Sequence, residues 1–507
     1  MKRLFLSALL FVPALVFGQN ALIKFDIDRV IGDIDPDIYG VFMEPIGHGR
    51  DFNTLMGPLY DPSSPLANED GFKTNYIDAM RELRISNMRW PGGNYTSTYD
   101  WRDGIGPKES RPVRYDLAWG AYDTNQVGTH EWVALNRAIG SKNVACFNFG
   151  FGDANLARFW VEYCNMKDGT YWSDLRASNG AKEPFYIEVF CLGNEVDGAP
   201  WINGHKDVED YTKMAVEVAK AVKKVDPSVK LVANGSSFYE SYHNAPGAWI
   251  EWNREVIAKL TGYADYLSIH RYWEVGGEEY YSFMGDNSQD LEEKITIIQG
   301  LVKAQHAAFP GSGTPLSLSI DEWGTHGRGM RGVLGIGMYL NSFIRHADFV
   351  RMSNYTMMTS LLTTDRESGK TFKAPNFQIF KLFSNYCTGK SVDTYVKCDT
   401  FDGAVYKNIP YLDVTTVSSE ADGMVYINVV NVNKDKNMTA DILCTSGQYE
   451  GTAEVRTIAF PEDAVFTIAD EASYAPKTSS VKTGRNGKLT IEFPACSFTQ
   501  IAVKVRK

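Results

Sequence analysis

Two glutamates stand out because each closely follows a strongly apolar run. One run ends in Leu192-Gly193-Asn194-Glu195, and another ends in Ile320-Asp321-Glu322. A carboxylate beside a buried strand costs free energy unless it has a partner or a task. Cleavage of a glycosidic bond supplies a task, since one carboxyl protonates the leaving oxygen and another acts as nucleophile or base. Either glutamate alone could be a surface residue or an ion-pair partner, but the two together favour this chemistry.

Three further polar residues lie at the ends of these runs or of a third one. Asn194 could hydrogen-bond a sugar hydroxyl beside the scissile bond, although a turn after a strand would also explain an asparagine there. His270 and Tyr272 end another apolar run. We expect both to face the same mouth as the glutamates, and ordinary polar packing in a loop is the alternative.

An arginine followed by two glycines forms a distinctive motif, Met88-Arg89-Trp90-Pro91-Gly92-Gly93-Asn94. The glycines would let the backbone approach a ligand closely. Arg89 would lie at a strand end, where it could hydrogen-bond a carboxylate and hold it ionised. A tight turn would explain the glycines but would not explain Arg89.

The elements that must position these residues are short apolar runs separated by amphipathic stretches. The clearest helix pattern spans Asp207 to Val225, and Asp226-Pro227 ends it because proline cannot continue a helix. Eight such runs predict the strands of an α/β fold, a (β/α)8 barrel, whose catalytic residues lie at the C-terminal ends of the strands. The runs are Ile38–Met43, Ile85–Trp90, Val144–Phe149, Phe185–Leu192, Lys230–Ala233, Tyr266–His270, Leu316–Ile320 and Met352–Leu362. An open doubly wound sheet is the alternative, but we find no phosphate-binding glycine loop.

The apolar pattern changes to a period of two after about residue 386, as in Val425, Ile427 and Val429. This pattern predicts an antiparallel β-sandwich, and the strand-like residues Ala21 to Val30 are expected to join it. The predicted organisation is a signal peptide over 1–18, an N-terminal strand within 19–36, a catalytic barrel over 37–385 and a β-sandwich over 386–507.

Composition narrows the classes of partner. The net charge is −11 and no long basic block occurs, so nucleic acid is excluded as a partner and a neutral glycan fits better than a polyanion. Aromatic residues make up 13% of the chain, which suits a carbohydrate cleft or simply a large core. We find no metal-ligand cluster, and Gly335-x-Gly337 lacks the third glycine of a dinucleotide fingerprint. No cofactor is predicted.

The N-terminus has the pattern of a secretory signal peptide. Met1-Lys2-Arg3 precedes an apolar run from Leu4 to Phe17, and Gly18 follows. The run is short for a membrane span. We therefore expect a secreted or periplasmic protein that is not attached to a membrane after cleavage.

Seven cysteines cannot all pair within one chain, because the number is odd. Cys146, Cys164 and Cys191 lie in apolar segments and are expected to be buried thiols. The other four could include a disulfide whose connectivity the sequence does not fix: Cys387, Cys398, Cys444 and Cys496.

The chain resembles glycoside hydrolase family 51, the α-L-arabinofuranosidases, through motifs spread over nearly its whole length. These motifs are Tyr39-Gly40-Val41-Phe42-Met43-Glu44, Arg89-Trp90-Pro91-Gly92-Gly93-Asn94, Trp101-Arg102-Asp103-Gly104-Ile105-Gly106-Pro107, Asn125-Gln126-Val127-Gly128-Thr129, Trp160-Val161-Glu162-Tyr163-Cys164-Asn165, Gly193-Asn194-Glu195-Val196-Asp197-Gly198 and Asp321-Glu322-Trp323. The resemblance implies a retaining enzyme with Glu195 as general acid/base and Glu322 as nucleophile. It also implies a homo-oligomer, since family members often form hexamers.

The resemblance further implies a sugar subsite, and two positions depart from the family pattern. Residues implied to contact the sugar are Glu44, Arg89, Asn94, Asn194, Tyr272 and, in the Asp-Glu-Trp motif, Trp323. Met357 stands where family members usually carry a glutamine that contacts the sugar, and His326 stands where an aromatic residue is usual. These departures affect the predicted sugar preference more than the predicted reaction.

Three functions follow from these observations. We expect an exo-acting α-L-arabinofuranosidase that acts on plant-type polysaccharide or oligosaccharide. A retaining endo-glycanase, or an exo-glycosidase with another sugar preference, is the first alternative, motivated by Met357 and His326. A secreted glycan-binding protein that has lost catalysis is the second, and the presence of both glutamates argues against it.

Overall fold

Eight parallel strands close into a barrel in the computed structural model, which describes residues 21–46, 58–198, 203–238, 247–273, 279–327, 329–365, 367–484 and 487–506. The predicted signal peptide lies outside the described residues. In chain order the barrel strands are β2 (Gly40–Phe42), β3 (Asn87–Trp90), β6 (Lys142–Cys146), β7 (Val189–Leu192), β8 (Lys230–Asn234), β9 (Tyr266–Trp273), β10 (Ser317–Thr325) and β11 (Val350–Thr356). Each predicted run contributes one strand, so the predicted barrel is confirmed.

Helices pack around the barrel. They are α1 (Thr74–Glu82), α2 (Thr129–Ile139), α3 (Ala154–Asn165), α4 (Tyr171–Ser178), α5 (Val208–Val225), α6 (Ala248–Leu260), α7 (Tyr280–Ala308), α8 (Met330–Arg345), α9 (Met358–Leu361) and α10 (Pro375–Tyr386). Helix α8 is buried on all sides from Gly332 to Ile344. The α5 helix shows how the sequence sets its ends. The Asp207 carboxylate accepts a hydrogen bond from the Asp210 amide at 2.8 Å and caps the N-terminus. The helix ends at Val225, directly before Asp226-Pro227, as predicted.

Strands β9 and β10 are longer than predicted. The apolar runs end at His270 and Ile320, whereas the strands continue to Trp273 and Thr325. They continue because β9 and β10 pair beyond the apolar runs, with Glu322 opposite His270 and Gly324 opposite Tyr272. Polar residues near the C-terminal ends of these strands therefore lie on a rigid sheet rather than on loops.

The C-terminal part is a nine-stranded, sandwich-like sheet that encloses its own core. Its strands are β1 (Ala21–Ile34), β14 (Gly389–Lys397), β17 (Leu412–Ser419), β18 (Met424–Asn431), β19 (Met438–Cys444), β20 (Gln448–Ala459), β21 (Lys477–Lys482), β22 (Lys488–Phe493) and β23 (Ser497–Arg506). The N-terminal strand β1 joins this sheet, as predicted, between β14 and β19. It runs antiparallel to β14 but parallel to β19, so the sheet is not purely antiparallel. The domain boundaries given above stay predictions.

Three short hairpins complete the described strands, and the first of them becomes important below. They pair β4 (Arg114–Asp116) with β5 (Ala121–Asp123), β12 (Thr363–Thr364) with β13 (Thr371–Phe372), and β15 (Thr400–Phe401) with β16 (Ile409–Pro410). The β4–β5 hairpin lies in the long connection between β3 and α2, which places it after the C-terminal end of a barrel strand.

Polar contacts join the sheet to the barrel through α8. The Arg345 guanidinium lies 2.8 Å from the Asp413 carboxylate, and the Thr415 hydroxyl donates to Asn341 Oδ1 at 2.6 Å. These groups are largely shielded from solvent, so the contacts hold the two parts in one arrangement.

All seven cysteines lie in the described residues, and each is a free thiol. Cys146, Cys164 and Cys191 are buried, as the apolar segments indicate. Cys398 and Cys444 are partly exposed, and the four C-terminal cysteines form no disulfide. Within the described ranges, no helix has both the length and the apolar character needed to cross a bilayer.

Candidate active site

The two glutamates meet at the C-terminal mouth of the barrel, where Glu195 follows β7 and Glu322 lies in β10. One carboxylate oxygen of each lies within 4.8 Å of the other. Glycosidases that retain the anomeric configuration hold their two carboxyls roughly 5–5.5 Å apart, whereas inverting enzymes hold them at about 6.5–9.5 Å. The separation therefore fits retention.

A register shift in β10 turns two consecutive carboxylates into the barrel. The pairing of β10 with β9 is irregular between Ser319 and Glu322, and its pairing with β11 is irregular between Ile320 and Trp323. In a regular strand, successive side chains point to opposite faces. Here both Asp321 and Glu322 contact the buried Arg89. Irregularities of this kind re-aim side chains next to active sites.

The Glu322 carboxylate accepts a hydrogen bond at each oxygen. Arg89 Nη1 donates to Oε1 at 2.8 Å, and the Tyr272 hydroxyl donates to Oε2 at 2.8 Å. The Tyr272 hydroxyl also lies 3.0 Å from Thr356 Oγ1 at the end of β11. Donors at both oxygens fix the orientation of a carboxylate. Glu322 is thus held in one orientation.

Glu195 lies in a different environment, since its carboxyl group forms a hydrogen bond with the ring of His270. Nδ1 of His270 is 2.9 Å from Glu195 Oε1. Burial and the nearby Glu322 carboxylate raise the pKa of Glu195. Its backbone has a φ of +46°, a left-handed conformation that residues other than glycine rarely adopt. A raised pKa and a restrained backbone suit a general acid that must hold its proton and its position.

His270 links the carboxylates to one another. Besides contacting Glu195, its Nδ1 lies 3.6 Å from Glu322 Oε1, and its Nε2 lies 3.3 Å from Asp321 Oδ1. Burial alone would lower the pKa of His270, but the three carboxylates outweigh burial and raise that pKa well above its ordinary value. The Ser268 hydroxyl donates a hydrogen bond to Asp321 Oδ1. Burial would raise the pKa of Asp321, but Arg89 and His270 lower it to about 2.

Arg89 is fully buried and connects the polar residues that the sequence singles out. Besides donating to Glu322, it donates through Nη2 to Asn194 Oδ1 at 2.6 Å. Its Nε lies 3.3 Å from Asp321 Oδ2. Asn194 Nδ2 in turn lies 3.4 Å from Asn94 Oδ1. One guanidinium thus joins β3, the end of β7 and β10.

Glu44 explains why glycines follow Arg89. A Cβ atom added to Gly92 would lie 2.5 Å from Glu44 Cβ, and one added to Gly93 would lie 2.8 Å from Glu44 Oε2. The backbone therefore approaches a carboxyl of the site itself, whereas the sequence led us to expect an approach to a ligand. Glu44 Oε1 accepts hydrogen bonds from the Tyr95 amide and from Trp119 Nε1, both at 2.9 Å. Burial and the Glu322 charge raise the pKa of Glu44 to about 8.

The positions that depart from the family pattern lie beside this centre. His326 is exposed, and its ring stacks on that of Tyr272 with centroids 5.5 Å apart. Met357 follows Thr356 directly and is 8% exposed. Its peptide nitrogen donates to the Ser360 hydroxyl at 3.1 Å. His326 therefore forms part of the rim, and Met357 adjoins the residue that contacts the Tyr272 hydroxyl.

Trp323 does not reach the cleft, in contrast to its assignment as a sugar contact. It is fully buried, and its ring packs against Tyr339, Phe343 and Tyr355 at centroid distances of 4.8, 5.2 and 5.0 Å. Its Nε1 donates to the Ser353 hydroxyl at 3.1 Å. After the irregularity at Asp321 and Glu322, the strand alternation places this side chain outside the barrel, among the helices.

Sequence reasoning missed four residues of the site: Asp321, Ser268, Thr356 and Trp119. Asp321 stands next to Glu322, and only the register shift in β10 turns it inward. Ser268 and Thr356 are common residues near the ends of strands and carry no signal of their own. Trp119 lies in the turn of the β4–β5 hairpin, where a tryptophan so close to Gly120 could have suggested a ligand contact.

The protonation of the site follows from its charges. Four buried carboxyls, those of Glu44, Glu195, Asp321 and Glu322, share it with two buried basic groups, the guanidinium of Arg89 and the imidazole of His270. Two cations balance two carboxylates, so the site is nearest to neutral when two carboxyls keep their protons. The raised pKa values of Glu44 and Glu195 identify those two carboxyls. The arrangement thus places Glu195, whose pKa is raised, beside Glu322, which Arg89 and Tyr272 orient, as suits a double displacement.

Three ligand-type atoms in the site have a spacing that would also admit a metal ion. Atoms of Glu195, His270 and Glu322 lie within 4.8 Å of one another. The His270 ring nitrogens already have carboxylate partners, since Nδ1 lies 2.9 Å from Glu195 Oε1 and Nε2 lies 3.3 Å from Asp321 Oδ1.

A separate cavity of about 1280 Å³ lies where the barrel meets the sandwich-like sheet. It is lined by Thr325 of β10, by Arg331 of α8 and by Glu462 and Phe466 of the connection that follows β20, among others. Neither Glu195 nor Glu322 lines it. The paired carboxyls, rather than cavity size, identify the candidate active site.

A parallel eight-stranded barrel with two close carboxyls in unlike environments defines the chain as a glycoside hydrolase. Comparison with known proteins gives the family. The profile described as "Alpha-L-arabinofuranosidase 1 domain" matches residues 79–273, and that described as "Alpha-L-arabinofuranosidase C-terminal domain" matches residues 321–497. The chain belongs to glycoside hydrolase family 51, the α-L-arabinofuranosidases.

Relatives and solved structures agree over nearly the full chain. An intracellular exo-α-(1→5)-L-arabinofuranosidase of Bacillus subtilis is 30% identical over 96% of this chain and 99% of its own length. A probable α-L-arabinofuranosidase C of Aspergillus clavatus is 32% identical over 94% of this chain and 96% of its own length. The arabinose complex of the Thermotoga maritima α-L-arabinofuranosidase is 27% identical, with a TM-score of 0.85 over 95% of this chain and 99% of its own. The family 51 enzyme of Thermotoga petrophila is also 27% identical, with a TM-score of 0.84 over 96% of this chain and 100% of its own.

Proposed function

We propose that this enzyme is a retaining, exo-acting α-L-arabinofuranosidase in which Glu322 is the nucleophile and Glu195 the general acid/base. One observation carries the assignment. Glu322 accepts hydrogen bonds from Arg89 and Tyr272, whereas the pKa of Glu195, within 4.8 Å, is raised by burial and by the charge of Glu322. One carboxyl is therefore prepared to attack and the other to donate a proton.

The reaction takes two steps. Glu322 attacks the anomeric carbon while the Glu195 carboxyl transfers its proton to the leaving oxygen, so that a sugar–Glu322 ester forms and the glycosidic bond breaks. Glu195, now ionised, removes a proton from a water molecule that attacks the same carbon, and Glu322 leaves as a carboxylate. Two inversions give net retention. His270 donates a hydrogen bond to the ionised form of Glu195 between the steps.

Substitution of each glutamate, with two leaving groups, tests this assignment. We expect Glu322→Gly to remove turnover of every arabinofuranoside, since no ester can form. We expect Glu195→Ala to form the ester readily from a dinitrophenyl arabinofuranoside, whose leaving group needs no proton, and then to stall. Exogenous azide should release the stalled sugar as a glycosyl azide of retained configuration. Normal turnover by Glu322→Gly would refute the nucleophile assignment.

Release of a terminal sugar is the proposed mode of action on the glycan. The names of two bacterial relatives specify an exo-α-(1→5)-L-arabinofuranosidase. In support, Glu44, which lies close to the paired glutamates, is only 3% exposed and is packed against Gly93. Product analysis on linear arabino-oligosaccharides tests the proposal, since exo action releases only the monosaccharide at early times. Early release of larger fragments would point to endo action.

A second candidate is a retaining glycosidase of the same family with a different sugar preference. Met357 and His326 favour it, because they stand at two positions where the family usually has a glutamine and an aromatic residue. A panel of aryl glycosides of pentoses and hexoses separates the two candidates. We expect the α-L-arabinofuranoside to have the highest kcat/KM, and a higher value for another sugar would favour the second candidate.

We also propose that the enzyme is exported. The support is the basic and apolar sequence of residues 1–18, although two bacterial relatives carry the word intracellular in their names. N-terminal sequencing of the protein from the native host tests this proposal. A mature chain that begins soon after Gly18, found outside the inner membrane, is the expected result, and an intact Met1 in the cytoplasmic fraction would contradict it.

A further inference from the structure

The β4–β5 hairpin carries a group of exposed apolar side chains beside the candidate active site. Tyr115 is 55% exposed, Leu117 50% and Tyr122 41%. The two tyrosines are directly paired across the strands, and their rings meet edge to face with centroids 5.4 Å apart. We call Tyr115, Leu117 and Tyr122 the hairpin platform. Exposed apolar groups concentrated on so few residues point to a binding surface.

The hairpin is connected to the catalytic pocket through its turn. Trp119, in that turn, donates from Nε1 to Glu44 Oε1 at 2.9 Å. The Tyr115 hydroxyl lies 3.5 Å from the position that a Cβ on Gly120 would take, so the Tyr115 ring lies over the same turn. On the other side, Asn203 Nδ2 donates to the Leu117 carbonyl at 3.2 Å, and Asn203 belongs to the connection that follows Glu195. The platform is thus close to Trp119, which contacts Glu44, and to Asn203, which lies in the connection after Glu195.

The hairpin is held in a defined shape. The buried Asp116 carboxylate accepts hydrogen bonds from the Ala118 and Trp119 amides at 2.9 and 3.1 Å, and the Gly120 amide donates to the Asp116 carbonyl at 3.0 Å. Asp123 accepts a hydrogen bond from the buried Tyr95 hydroxyl. Asp116 thus fixes the turn, and Asp123 ties the hairpin to Tyr95. Strand alternation leaves the two tyrosines on the face opposite these carboxylates.

We propose that the hairpin platform binds the leaving-group side of the substrate, as sugar rings beyond the scissile bond. This inference rests on the proposed function and extends it to the part of the glycan that is not released as monosaccharide. Flat aromatic rings bind the apolar faces of uncharged sugars, and a net charge of −11 disfavours a polyanionic glycan. Because Trp119 ties the hairpin to Glu44, a chain whose terminal sugar enters the pocket can continue over Tyr115 and Tyr122.

A second copy of this chain is the other occupant that the apolar surface could suit. A stable interface buries about 800 Å² on each partner, whereas three partly exposed side chains offer on the order of a few hundred Å². The platform alone is therefore too small for a subunit contact, although the predicted homo-oligomer makes this alternative measurable.

The experiment compares substrates of increasing length in matched variants. For the wild type we expect kcat/KM to rise from a p-nitrophenyl α-L-arabinofuranoside to linear arabino-oligosaccharides of three to five units. The Tyr115→Ala/Tyr122→Ala variant should lose about tenfold in kcat/KM on the oligosaccharides, mainly through KM, and keep its activity on the aryl substrate. Tyr115→Phe/Tyr122→Phe keeps both rings and should behave as the wild type. The control is Tyr395→Ala, since Tyr395 lies in β14 and is 54% exposed. This substitution should change kcat/KM on neither substrate.

Three results would overturn the inference. Equal losses on short and long substrates would mean that the substitutions disturb the pocket through Trp119. Unchanged kinetics on the oligosaccharides would mean that no sugar binds there. A lower molar mass of the alanine variant in light scattering, with unchanged KM values, would assign the platform to a second copy. Failure of the wild type to hydrolyse the aryl arabinofuranoside would instead refute the proposed function.

Discussion

Arg89 Nη1 donates to Glu322 Oε1 at 2.8 Å, and neither side chain is more than 8% exposed. A buried charge that loses its partner is strongly destabilising, because desolvation is then uncompensated. The same guanidinium also lies beside Asp321 and Asn194. The pair therefore supports both the fold and the orientation of the proposed nucleophile, and the two contributions can be measured separately.

Arg89→Met should lower the free energy of unfolding by about 3–5 kcal/mol and reduce kcat by about 10²–10³-fold. The first effect arises because Asp321 and Glu322 lose their common cation, and the second because Glu322 is no longer oriented. Urea unfolding and steady-state kinetics measure the two quantities. Arg89→Lys should recover part of the stability but less of kcat, since lysine is a point charge without the planar fork. Equal recovery of both would contradict the orienting role.

Replacement of Glu195 should remove the fall in activity that occurs as pH rises. The raised pKa of Glu195 means that its carboxyl is protonated at lower pH, so wild-type kcat/KM should fall as pH rises through that pKa. In Glu195→Gln, tested on a dinitrophenyl arabinofuranoside that needs no proton, the rate of ester formation should not fall over the same range. An unchanged alkaline limb in this variant would assign the titration to another group.

Glu44 should make the fold less stable as pH rises. Its pKa is about 8 in the folded protein and near 4.5 when exposed, so between these values the unfolded chain has released a proton that the folded chain keeps. Glu44 therefore makes its full contribution to the free energy of unfolding below about pH 4.5. That contribution decreases by up to about 1.4 kcal/mol per pH unit toward pH 8. Glu44→Gln should remove this dependence, which urea unfolding at pH 5 and pH 7.5 would detect. A slope equal to that of the wild type would place the pKa of Glu44 near its ordinary value.

Trp323→Phe should affect stability and leave substrate binding unchanged. The indole is fully buried and donates to Ser353, so its replacement removes a hydrogen bond and part of the packing against Tyr339. We expect a loss of about 1–3 kcal/mol in the free energy of unfolding, with KM unchanged. A raised KM with an unchanged melting temperature would instead place Trp323 at the substrate.

Met357→Gln should raise kcat/KM on an aryl α-L-arabinofuranoside by up to about tenfold, since the amide could hydrogen-bond a sugar hydroxyl. Met357→Leu, which keeps an apolar side chain of similar size, is the control and should have little effect. If the glutamine variant gains activity on another sugar instead, the second candidate function is favoured.

The sequence predicted those structural features that depend on a local pattern of the chain. Continuous apolar runs identified the eight barrel strands, and strand ends followed by carboxylates identified Glu195 and Glu322. It did not predict the side-chain directions that depend on how distant strands pair. The register shift in β10 turns Asp321 inward and Trp323 outward, and nothing in the local pattern marks it. Likewise, Gly92 and Gly93 signalled a close approach, but the approaching group, Glu44, lies far away in the chain.

The position of β1 has a consequence for how the chain is made. This strand emerges from the ribosome before the barrel, yet both of its partners, β14 and β19, belong to the last part of the chain to be synthesised. This strand must therefore stay unpaired with β14 and β19 while more than three hundred residues are added between it and β14. The sheet can close only after synthesis is nearly complete, so a nascent chain truncated before β19 would retain an apolar strand open to aggregation.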